Sequence, residues 1–276
     1  MCLAETASAV HDHDHDHGAS GIGRRALVAG GAAAALAVAL PSPAAARGRR
    51  RLADLTHTFT AGFPVYSLGN PTRETLVTIP ENGFYSQRWT FAEHSGTHMD
   101  VPGHFVTGGR LTPQITPAEL IVPVVVVNIA ARVARNPDAQ LTVDDLRRFE
   151  RRHGRIERGA AVFMYSGWER RLPLGEQAYR GQDAAGVYHF PGFHVDAVRW
   201  LLERRGITAI GVDTLSLDHG PSTTFDVHTL LLGADRYGLE NVANLAKIPP
   251  RGATAYVGVV PWERGSGGPC RVIASW

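Results

Sequence analysis

The pattern of apolar and polar positions along the chain predicts buried strands separated by amphipathic helices. Residues 122–129 read VPVVVVNI, a continuous β-branched run of the kind that forms a strand covered on both faces. Residues 160–165 (AAVFMY) and 207–212 (ITAIGV) have the same character and are flanked by glycine and charged residues. Between these runs the period changes. Thr142 offers a helix cap before a charged amphipathic stretch reaching Phe149, and Val195–Arg205 sets apolar residues at helical spacing before a basic end. Helices alternating with buried strands predict an α/β class with a mixed sheet. From residue 52 onward there is neither an internal repeat nor a long linker, so residues 47–276 are expected to form one domain.

The first 46 residues follow another pattern. Arg24 and Arg25 stand before the apolar run 26–40, and Pro41, Pro43 and the triplet Ala44, Ala45 and Ala46 follow it. A basic segment, a short apolar segment and a small-residue cleavage site in that order predict a signal peptide, and the paired arginines predict the twin-arginine type. At 15 residues the apolar run is short. A bilayer span needs roughly 20, which disfavours an uncleaved anchor. The mature protein is therefore expected to start after Ala46 and to work in the periplasm or outside the cell. Upstream, His11, His13, His15 and His17 alternate with Asp12, Asp14 and Asp16, a tract able to bind metal that would be discarded with the signal.

Composition narrows the function. A net charge of +2 gives no reason to expect a nucleic-acid partner. Cys2 and Cys270, at opposite ends, cannot build a disulfide framework, so the fold must stand on its core. The mature chain has no phosphate-loop or G-x-G-x-x-G sequence, Ser166 is not in a G-x-S-x-G elbow, and Cys270 lacks a paired histidine motif. Nucleotide-dependent, serine-hydrolase and cysteine-nucleophile chemistry thus have no support.

Residues 94–105 read HSGTHMDVPGHF and place His94, His98, Asp100 and His104 within eleven residues. Gly96, Pro102 and Gly103 disfavour a helix through them. On an extended backbone the even-numbered positions share a face, with His98 and Asp100 as nearest same-face neighbours. Imidazole and carboxylate without thiolate suit Zn²⁺ or Mn²⁺ and a catalytic rather than a structural ion. A lone histidine would be read as an ordinary hydrogen-bonding group; three with an aspartate at this density argue for ligands.

This segment resembles the HxGTHxDxPxHF signature of the cyclase-like metal hydrolases, a family that includes bacterial kynurenine formamidase, isatin hydrolase and polyketide-associated cyclases. The resemblance runs from about Asp54 to the C-terminus and takes in GVDTLSLDHGPS, from Gly211 to Ser222, and the later His228 and Glu240. It implies His94, His98 and Asp100 as metal ligands, His104 as acid/base, and His228 with Glu240 as the pair completing a second metal position, hence one or two ions per chain. It implies a swivelling β/β/α single domain, usually a homodimer or homotetramer. It also aligns Tyr66, in FPVYSL, with a substrate-contacting tryptophan of the formamidases.

Three further positions are candidates. Trp168, after a strand end in YSGWE, is read as a wall for a cyclic substrate or as packing; His219 is read as substrate-binding or structural. Asp213 and Thr214 close a buried strand at the end where ligand crevices of α/β sheets lie, and also suit a turn. The expected activity is hydrolysis of a C–N bond in a small amide, formamide or lactam by metal-activated water. Competing readings are a metal-dependent cyclase or dehydratase acting on a polyketide-like substrate, and an exported metal-binding protein without turnover.

Overall fold

Side-chain alternation within the strands decides the architecture of the computed structural model, which describes residues 50–276. The signal and the His/Asp tract expected within residues 1–46 lie outside the described residues. Eight strands make the main sheet: β1 (Leu52–Asp54), β2 (His98–Asp100), β3 (Ile121–Asn128), β4 (Ala161–Tyr165), β5 (Ala209–Val212), β6 (Tyr237–Glu240), β7 (Arg251–Val259) and β8 (Gly267–Ser275). Their order is β1-β8-β7-β3-β4-β5-β6-β2, and β2 also pairs with β8. Strands β3 to β6 are parallel to one another, while β2, β7, β8 and β1 join antiparallel. The mixed sheet expected from the sequence therefore closes into a barrel, because β8 pairs with β7 from Cys270 to Ser275 and with β2 at Gly267, Gly268 and Pro269, while β1 is added to the free edge of β8 at Ile273, Ala274 and Ser275.

Each buried run splits by parity. Val122, Val124, Val126, Phe163, Ala209, Leu239 and Met99 join one apolar cluster drawn from every strand of the ring, the barrel interior. Val125, Val127, Val162, Met164, Ile210 and Val212 belong to a second cluster beneath three helices. These are α1 (Val143–His153), α2 (Val195–Arg205) and α3 (Asp226–Gly233). Such double coverage explains why the strands read as unbroken apolar runs. Gly211 serves the interior: a Cβ there would come within 2.7 Å of the Phe163 ring. Helix α2 has the bounds read from the periodicity, and α1 runs to His153 rather than Phe149. Among the described residues, no helix is long and apolar enough to cross a membrane.

Candidate metal centre

Strand β2 is three residues long and buried throughout, and it sorts them by parity: Met99 points into the barrel, leaving His98 and Asp100 on the opposite face. Register completes the pattern. Glu240 of β6 lies opposite His98, and Gly238 opposite Asp100, so Glu240 is the cross-strand neighbour of His98 on that face. Helix α3 delivers His228 from its first turn. His94 comes from the loop before β2, and His104 from the 3₁₀ turn Pro102–His104 after it. Strand parity thus accounts for His98 and Asp100 alone, and the loop and the turn carry the other two to the same place. The His94 and His104 rings stack with centroids 3.8 Å apart.

The donors converge tightly. His98 Nε2 is 3.3 Å from Asp100 Oδ1 and 3.3 Å from Glu240 Oε2. His228 Nε2 is 3.1 Å from Glu240 Oε1 and 3.4 Å from Asp100 Oδ2. His94 Nδ1 lies 2.5 Å from Asp100 Oδ1. Three of these groups, His98, His228 and Glu240, are held from behind. His98 Nδ1–H donates to the Gly96 carbonyl at 3.0 Å, which leaves Nε2 to face the carboxylates. His228 Nδ1–H donates to Asp218 at 2.6 Å, and the Leu217 amide donates to Glu240 at 2.9 Å. Asn241 donates to the same Gly96 carbonyl at 2.9 Å and accepts from the Tyr179 hydroxyl at 2.8 Å.

Charge follows from this packing. Burial alone would pull the His98 imidazole down, but the Asp100 and Glu240 carboxylates push it up to about 10. His228 is opposed by burial in the same way and is held well above the ordinary histidine value by Asp100, Asp218 and Glu240. Burial would raise Asp100, yet the neighbouring His94 and His98 keep it far below the usual carboxylate range. His104 behaves differently: burial dominates and lowers it to about 4, so its imidazole is neutral near pH 7.

The residues fit a divalent cation. His98 Nε2 and Asp100 Oδ2 are buried without a hydrogen-bond partner, a costly state unless a cation lies between them. Two sets, His94–Asp100–His104 and His98–Asp100–Glu240, each bring their donor atoms within 4.8 Å of one another, and Asp100 is common to both. Space is made for them by Gly267, where a Cβ would come within 2.5 Å of His94 Cε1. That glycine, like Asp218, was not singled out from the sequence. A glycine's need for space appears only when its neighbour is known, and Asp218 meets His228 only because a turn separates them.

A cavity of about 230 Å³ opens on these groups, and its apolar side includes Val65, Tyr66, Leu68, Phe105, Leu215 and Phe225. Tyr66 is thus part of the cavity wall. Trp168 is not: it is 1% exposed in the outer core, its indole N–H donates to the Tyr179 carbonyl at 2.7 Å, and it does not reach the cavity. Of its two readings, packing is the one realised. His219 is also absent from the cavity wall, because the adjoining Asp218 turns inward to His228 while the His219 imidazole lies near Asp138, His194 and Asp218. Asp213 caps a turn, accepting from Ser166, Gly167 and Trp168 amides and from the Ser166 hydroxyl. A larger hollow of about 430 Å³ beside Arg148 and Arg152 contains none of the metal-type donors described above.

The family model described as Putative cyclase matches residues 53–219. The chain belongs to this putative cyclase family. It is 35% identical over 200 residues to the isatin hydrolase of Roseibium aggregatum, covering 69% of this chain and 75% of that one. Isatin hydrolase A from Ralstonia solanacearum is similar in structure, with a TM-score of 0.78 and 36% identity over 83% of this chain and 93% of that one. An isatin hydrolase bound to the product analogue thioisatinate gives a TM-score of 0.78 at 30% identity, with the same coverage of 83% and 93%. The family match ends before His228 and Glu240, so their part in the site rests on geometry.

Proposed function

We propose that the protein is a metal-dependent hydrolase that cleaves the C–N bond of a small amide, with a lactam related to isatin as the first substrate class to test. The observation that carries this reading is the convergence of the half-buried His94 with the buried His98, Asp100, His228 and Glu240, in which His98 Nε2 and Asp100 Oδ2 have no hydrogen-bond partner. The isatin hydrolases at 30% identity or more support the choice of bond. When bound, the ion supplies Lewis acidity for the attacking water and for the substrate carbonyl. His98, held by the Gly96 carbonyl, and His228, held by Asp218, present fixed nitrogens to that position. The neutral His104 accepts a proton from the attacking water and returns it to the leaving nitrogen. The apolar side of the cavity holds the substrate body and limits water around the reacting carbonyl.

The donor set, nitrogen and oxygen without sulfur, supports Zn²⁺ or Mn²⁺, in one or two equivalents. The family supports a homodimer or homotetramer, which sedimentation would distinguish. Arg24, Arg25 and the apolar run behind them support twin-arginine export, tested by finding the processed protein outside the cytoplasm with its N-terminus near residue 47. The deciding experiment combines metal analysis by mass spectrometry with a lactam-opening assay in ¹⁸O-water. A stoichiometric ion, turnover and one solvent oxygen in the product are expected; metal-free protein without turnover would sink the reading.

A further inference from the structure

Phe225 has a backbone conformation that its side chain disfavours. Its φ of 51° and ψ of 44° are left-handed, a region where a bulky L-residue is strained and glycine is not. It stands immediately before α3, and its amide N–H donates to the Ser222 hydroxyl at 3.2 Å, so the turn is anchored. The conformation lets one short segment present two groups to the cavity, the Phe225 ring and, three residues on, His228. Persistent strain of this kind gathers where a site needs a particular side-chain position.

The ring's contacts say what that position does. It meets Tyr66 edge-on at 5.8 Å, Phe105 at 5.8 Å and the His228 imidazole edge-on at 5.9 Å. Phe105 in turn stacks on His228 at 4.8 Å, and Tyr66 stacks on Tyr188 at 4.6 Å. Phe225 is therefore the link between the aromatic wall of the cavity and the rings around the metal donors. We propose that Phe225 is a specificity-determining residue: its ring packs against a planar aromatic substrate and holds the ring fused to the scissile amide against the metal centre. This rests on the hydrolase reading for the identity of the reaction, though not for the shape of the cavity.

The test uses the metal-loaded protein and two acids that share one headgroup, phenylglyoxylate with an aromatic ring and pyruvate without one. Calorimetric titration of a Phe225→Leu variant is expected to show phenylglyoxylate binding weakened about three- to tenfold, the worth of a lost aromatic pair, with pyruvate binding changed less than twofold. KM for a benzo-fused lactam should rise by the same factor with kcat nearly unchanged. Metal content equal to that of the unmodified protein confirms that α3 still presents His228. Equal weakening of both acids, or unchanged phenylglyoxylate binding, overturns the assignment. Absence of lactam turnover in the unmodified protein would instead overturn the hydrolase reading, and the two titrations would still decide the role of Phe225.

Discussion

The two faces of β2 and β6 are built to opposite ends. Toward the barrel interior, Met99, Tyr237 and Leu239 are at most 1% exposed and packed among apolar neighbours from every strand of the ring. On the other face, one residue away in sequence, His98, Asp100 and Glu240 are nearly as buried but crowd ionisable groups together, with His98 Nε2 and Asp100 Oδ2 left without a hydrogen-bond partner. Burial of apolar surface stabilises the first face, whereas burial of charge works against the second unless a cation compensates it. The rigid face thus holds a strained one in register, which is how a scaffold preorganises a site.

The largest expected effect comes from removing the polar face. Asp100→Ala should abolish both metal binding and turnover, read by mass spectrometry and the lactam assay, because Asp100 belongs to both donor sets. His104→Ala should keep the metal and lower kcat by about a hundred- to ten-thousandfold, the usual worth of a positioned proton carrier. If that variant retains full activity, His104 has no part in the chemistry.

On the apolar face, Met99→Ala should cost about 2–5 kcal/mol in denaturant unfolding, the range for a truncated core side chain. Metal bound to the surviving folded protein should stay stoichiometric; loss of metal at full folding would break the division between the faces. Gly267→Ala probes the seam between them, since its Cβ would press on both His94 and the Met99 carbonyl. Metal affinity is expected to fall about tenfold, by analogy with disturbed ligand support. A titration showing no change would mean that His94 is not a ligand.

The smallest effect lies outside the cavity, in an ion-pair network. Arg110, whose carbonyl accepts from the Gly103 amide in the turn carrying His104, pairs with Glu119 at 2.8 Å and Asp235 at 2.6 Å. The Arg110 guanidinium holds the Glu119 carboxyl down at about 2, below its ordinary 4.5. The folded state therefore gains stability from this group above pH 4.5 and loses it as pH falls toward 2. Glu119→Gln should lower the melting temperature by a few degrees at pH 7, corresponding to about 1 kcal/mol, and the difference should vanish near pH 2. Equal differences at both values would assign the effect to packing instead of charge.

Much of this could be read from the chain itself. The unbroken apolar runs specified buried strands, the periodicity specified α2 to the residue, and the dense HSGTHMDVPGHF segment specified a metal-type donor set with His98 and Asp100 side by side. Those are local properties, fixed by spacing and by the two-residue period of a strand. Tertiary structure alone decided the rest. The closure of the barrel depends on β8 pairing with both β7 and β2, and Glu240 meets His98 only through a register between strands far apart in sequence. Trp168 shows the limit: an aromatic after a strand end packs inward or faces a ligand according to what covers it, and here the Tyr179 carbonyl and the outer core claim it. Asp218, Gly267 and Phe225 carry no local signature because their roles consist of contacts, which exist only once the chain has brought distant segments together.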